Sequence, residues 1–124
     1  MSTYTSGLMT NPQNEEEQAV NVAVNARNLG PDQALIIVQL FGVPWSGTGL
    51  VPIYVSGFIV PPDSAISQTY YVGGNTAYEV QVNNVDDLSE VAVSLFGLKA
   101  SGELVPAHRV LPLELSPMLG MLQP

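Results

Sequence analysis

The sequence predicts an all-β fold, an immunoglobulin-like antiparallel β-sandwich of about seven strands, with a jelly roll as the runner-up. Three observations predict it. A hairpin-sized pattern occurs twice: Val38-Gln39-Leu40-Phe41-Gly42, Ser46-Gly47 and Leu50-Val51-Pro52 return as Val93-Ser94-Leu95-Phe96-Gly97, Ser101-Gly102 and Leu104-Val105-Pro106. Apolar and polar residues alternate with a period of two, as in half-buried strands, and no stretch shows a helical period. A single hairpin is marginal in water, so two of them laid face to face bury both apolar faces.

Residues 1–17 read as a flexible polar arm ending in Glu15-Glu16-Glu17, with Tyr4, Leu8 and Met9 as isolated apolar anchors. The sandwich domain spans residues 18–115. Its first strand starts at Ala19, with Val20, Val22, Val24 and Ala26 on one face and Asn21, Ala23, Asn25 and Arg27 on the other. Asn28-Leu29-Gly30-Pro31-Asp32 supplies turn chemistry. Ala34 to Val43 is apolar on both faces and is expected to lie centrally. Pro44-Trp45-Ser46-Gly47-Thr48-Gly49 leads to a strand near Ile53 to Val60, which Pro61-Pro62 ends because proline cannot donate to a ladder.

Ile66 to Val72 and Thr76 to Asn84 flank Gly73-Gly74-Asn75, which reads as a three-residue hairpin loop. Tyr78, Val80 and Val82 are expected to face inward. Val85 to Ser89 crosses over, Glu90 to Leu98 is the next strand, and Leu104 to Leu115 is the last, with Pro112 implying an edge or a bulge. Residues 116–124 form an apolar tail in which Met118, Leu119, Met121 and Leu122 call for a docking surface.

Composition narrows the function. Eleven acidic residues against three basic ones give a net charge of −8, which disfavours nucleic acid and anionic membrane surfaces as partners. The chain has no cysteine, which excludes disulfides, thiolate metal sites and a cysteine nucleophile. No secretory signal opens the sequence, and the uncharged stretch from Gln33 to Pro62 is broken by glycine and proline into strand-length pieces too short to span a membrane as a helix. The cellular address stays unknown on these grounds.

Few residues suggest chemistry. His108 is the one histidine, and its nearest acidic residues in sequence, Glu103 and Glu114, lie five and six positions away along an extended strand. Asn83, Asn84, Asp86, Asp87 and Glu90 form the densest oxygen cluster, but their spacing fits no calcium loop. The expectation is therefore no enzyme, no cofactor and no metal. Trp45, Tyr54, Tyr70 and Tyr71 are candidates for stacking against a glycan, weighed against packing. Phe41 and Phe96 hold matched places in the two repeats, which suggests that aromatics here plug gaps between sheets and loops.

Tyr78-Glu-Val-Gln-Val, Val91-Ala-Val-Ser-Leu-Phe-Gly-Leu and Gly102-Glu-Leu-Val-Pro-Ala-His-Arg-Val-Leu resemble small uncharacterised β-sandwich proteins of spore-forming bacteria. More loosely, they resemble the fibre subunits of endospore appendages. The similar region covers about residues 66–115. The resemblance implies a non-enzymatic structural subunit at a spore or cell surface, whose arm inserts into the next subunit. Some appendage subunits are cross-linked through cysteines, so a polymer of this chain would be noncovalent. The function expected is a self-assembling homo-oligomer using Tyr4, Leu8, Met9, Met118, Leu119, Met121 and Leu122. The alternative is a carbohydrate- or protein-binding module using Trp45 and the strand tyrosines.

Overall fold

The computed structural model describes residues 2–86 and 90–118. In chain order the strands are β1 (Ser2–Thr5), β2 (Met9–Thr10), β3 (Asn21–Asn28), β4 (Ala34–Pro44), β5 (Val51–Val60), β6 (Ser64–Tyr71), β7 (Asn75–Asn84), β8 (Val91–Leu98), β9 (Leu104–Val110) and β10 (Ser116–Met118). A 3-10 turn at Pro112–Glu114 precedes β10. Two antiparallel sheets pack face to face. The larger has the order β10-β1-β7-β4-β5, with β2 also pairing β7, and the smaller has the order β6-β3-β8-β9. The all-β sandwich is the architecture the sequence predicts.

Both copies of the repeated pattern are hairpins, and they lie in different sheets. β4 pairs β5 in the larger sheet and β8 pairs β9 in the smaller. Between the sheets, Ile36, Val38 and Leu40 of β4 and Tyr78, Val80 and Val82 of β7 meet Val22, Val24 and Ala26 of β3 and Val93 and Leu95 of β8. The period-two alternation puts these residues on one face of each strand, and burying them supplies most of the driving force for folding. Phe41, 4% exposed, is buried outside the inter-sheet cluster and lies opposite Glu79 on β7, while Phe96 is half-buried opposite Ala23 on β3.

Two expectations change. Residues 64–71 and 75–84 do not form a hairpin: β6 pairs β3 and β7 pairs β4, so the Gly73-Gly74 turn carries the chain from one sheet to the other. Gly74 takes a positive φ there, which suits a crossing as well as a hairpin loop. Nor is the arm free of structure. Residues 2–5 lie antiparallel on β7, from Ser2 opposite Asn84 to Thr5 opposite Gln81, and Met9 and Thr10 continue along it to Ala77.

The arm is fastened by polar groups. Asn11 is buried, and its carboxamide is paired at both ends with Ala19: the Ala19 amide donates to Oδ1 at 2.8 Å, and Nδ2 donates to the Ala19 carbonyl at 2.9 Å. Its backbone amide donates to Thr76. Asn28, also buried, does the same for the turn after β3, donating to Asp32 and Val60 and accepting from Gly30.

Leu40 is fully buried in the shared core. Leu40→Ala should therefore destabilise the domain by about 2–5 kcal/mol, read as a lower urea midpoint with an unchanged slope.

Candidate functional site

The one histidine sits where the arm crosses the mouth of the sandwich. β9 carries His108 inward toward β7, and Gly97 on β8 makes the room: a Cβ at Gly97 would stand 2.6 Å from the His108 Cβ. Gly42, at the matching place in the first repeat, makes room for the Asn75 side chain in the same way. The first segment of each repeat thus closes on a glycine over which a polar side chain from a neighbouring element crosses closely.

His108 spans three segments. Its Nε2 lies 2.9 Å from the Thr10 carbonyl, which can only accept, so Nε2 carries the proton. Nδ1 is then the acceptor for the Tyr78 hydroxyl at 2.8 Å. The two rings meet edge to face, with centroids 5.5 Å apart. Burial pushes the His108 pKa below its usual value, a shift that the hydrogen bond to Thr10 opposes in part. Burial likewise pushes the Tyr78 hydroxyl well above the usual phenol range. The imidazole is neutral and both its nitrogens are occupied.

A cleft of about 440 Å³ lies beside it, lined by Met9, Thr10, Glu16, Glu17, Val105 and His108. The structure thus brings two arm carboxylates to the same cleft as the histidine, which spacing along β9 does not reveal. The amides of Glu16 and Glu17 donate to Asn14 Oδ1, an Asx turn that holds both on the surface. With both ring nitrogens of His108 hydrogen-bonded, the imidazole ties the arm to the sandwich. Among the described residues no three His, Asp or Glu side chains converge to hold a metal ion. Of the oxygen cluster, Asp86 accepts from the Leu35 amide, and Asp87 lies outside the described residues.

The association candidates at the termini are placed as follows. Tyr4 is half-buried and lines a cavity of about 390 Å³ with Val82, Val91, Val93, Pro112 and Leu115. Met9 packs against the core, Leu8 is exposed, and Met118 pairs with Thr3. Leu119, Met121 and Leu122 lie outside the described residues. The stacking candidates do not form one platform. Tyr70 is 7% exposed, and the Tyr54 ring packs on it at a centroid distance of 5.6 Å. Trp45 and Tyr71 are 58% and 56% exposed and flank the Gly73-Gly74 turn: the Trp45 amide donates to Gly74, and the Tyr71 ring lies against Gly73.

A longer run of exposed apolar residues lies on β5. β5 forms one edge of the larger sheet, and Leu50, Val51, Ile53, Tyr54, Val55 and Ile59 are all exposed. β6, the next strand, forms the neighbouring edge of the smaller sheet. Between Gln33 and Tyr78, a stretch that holds β4, β5 and β6, Asp63 is the one charged residue, and it is ion-paired with Arg27 at 3.0 Å. The sequence shows the missing charge but not that β5 lies at an edge.

No family model matches the chain, and no curated protein does. Among solved structures, a Thermotoga maritima protein described as Thermotoga maritima 1070 is similar over 98% of this chain and 94% of that one, with a TM-score of 0.46 and 12% identity.

The bridge through His108 makes stability depend on pH. Its folded pKa lies below the ordinary 6.5, so the stability it contributes is complete above that value and is lost as the pH falls through the lowered folded pKa. With one histidine in the chain, the unfolding free energy should fall as the pH drops below about 6.5 in the parent protein and should fall less steeply there in His108→Phe.

Proposed function

We propose that this protein is a non-enzymatic, self-associating structural subunit. One observation carries the reading: an edge of the sandwich that is long, apolar and without charge, on a chain whose net charge is −8. Exposed edges of this kind template pairing with another chain, and soluble proteins ordinarily blunt them with charges, prolines, bulges or short strands. Scattered surface leucines need no explanation, but a contiguous apolar edge does.

Two further observations support it. The side chain best suited to acid–base chemistry is committed at both nitrogens to Tyr78 and Thr10. The arm behaves as an added strand on β7, so the chain contains a segment with strand-adding chemistry. In this structure that strand is supplied in cis, and exchange of β1 between neighbours would make the same hydrogen bonds in trans. The sequence resemblance adds a setting to the proposal, a fibre or coat at a spore or cell surface. The glycan-binding alternative has weaker support, because two of its four aromatic residues pack on each other.

Sedimentation velocity of the purified chain tests this reading. The weight-average sedimentation coefficient should rise with concentration across the micromolar range and should rise further in high salt, which screens the net charge. A monomer at every concentration and salt level would remove the proposal.

A further inference from the structure

We infer that β5 pairs with β5 of a second copy, antiparallel across a two-fold axis at Gly57, so that the two larger sheets join edge to edge. This rests on the self-association reading and names its interface. The four edge strands differ in how well they are protected. β10 has three residues with Pro117 at its centre, and β9 carries Pro106 and Arg109. β6 turns Ser67 and Thr69 outward, between Ala65 and Tyr71. β5 has ten residues, no charge and one proline, Pro52, which lies beyond the register shift at Leu40/Phe41. That leaves Tyr54 to Val60 as a regular, unblocked edge.

Charge selects the occupant. Two copies each carrying −8 repel over most of their surface, with Glu15–Glu17 on the arm, Glu103 in the turn after β8 and Glu114 next to β10. The β5 flank is where a second copy brings no opposed carboxylate, and like charges held farther off are largely screened at physiological salt, where the Debye length is about 8 Å. An isologous contact also uses the same patch on both copies, so an edge suited to one is suited to the other.

Side-chain size selects the register. Opposite residues in an antiparallel pair share a face, so a two-fold axis normal to the sheet passes midway between the two copies of one residue, and the residues on either side pair with others of like parity. Centring on Gly57 uses the whole regular segment and sets Val55 of each copy, 70% exposed, against Ile59 of the other, 50% exposed. Such apolar cross-strand pairs are stabilising. It also sets Tyr54 against Val60 and Ser56 against Phe58. The residue on the axis has no side chain to clash with its own copy. A Cβ added there would meet nothing nearer than 3.8 Å within its own subunit.

The test uses the cysteine-free background. Val55→Lys places a charge against Ile59 of the second copy and should weaken the dimer at least about tenfold by sedimentation, with the thermal midpoint unmoved at dilutions where both proteins are monomeric. Gly57→Cys, whose backbone is not in the left-handed region, should form a disulfide-linked dimer much faster on mild oxidation than Ser67→Cys on β6. Association undiminished in Val55→Lys, with Gly57→Cys linking no faster than Ser67→Cys, overturns this interface while self-association stands. A parent protein that is monomeric throughout overturns both. If Val55→Lys fails to fold, the comparison of the two cysteine variants decides alone.

Discussion

Every β-sheet ends in two strands whose outward N–H and C=O groups have no partner within the sheet, and this chain treats its edges unequally. On the β7 side it uses its own ends. β1 and β2 run along β7, β10 closes over β1, and the larger sheet grows by three short strands that the hydrophobic pattern alone does not call for. On the opposite side it stops at β5, which is longer than these three strands together and from Tyr54 to Val60 carries no charge, proline or register shift. The functional reading follows from that asymmetry.

Two of the buried polar residues serve the covered side. Asn11 clamps the arm to the start of β3, and His108 reaches from β9 to accept from Tyr78 and donate to Thr10. Such buried groups are costly unless paired, and fully paired they fix one arrangement of the chain against its alternatives. The lowered pKa of His108 and the raised pKa of Tyr78 have the same origin, the exclusion of water from the junction of arm and sandwich. The two groups are hydrogen-bonded to each other, and His108 also to the arm at Thr10.

Much of this was legible in the sequence. The doubled hairpin, the inward Val22, Val24, Val38, Leu40, Val80 and Val82, and the sandwich they imply all follow from a period of two. The glycines closing the first segment of each repeat are visible too, although their partners, Asn75 and His108, come from neighbouring strands and need coordinates to be recognised. What local pattern could not give was strand order. Residues 66–72 and 76–84 look like a hairpin because their alternation and glycine loop are compatible with one, yet the strands they fall in, β6 and β7, find partners in different sheets. The order of the arm is hidden for a related reason. Ser2 to Thr5 has little apolar surface to bury, and its order comes from backbone pairing with β7 and from the bonds of Thr5 and Ser6 to Glu79 and Val80. The lack of charge around β5 was plain in the sequence, but its meaning depends on the strand lying at an edge.

Hydrogen exchange of the β5 amides at low and high protein concentration tests the central claim most directly. The outward amides between Tyr54 and Val60 should exchange fast in dilute solution and slow markedly as concentration rises, while those of β1 stay protected throughout by β7 and β10. Exchange in β5 that does not depend on concentration would contradict the account.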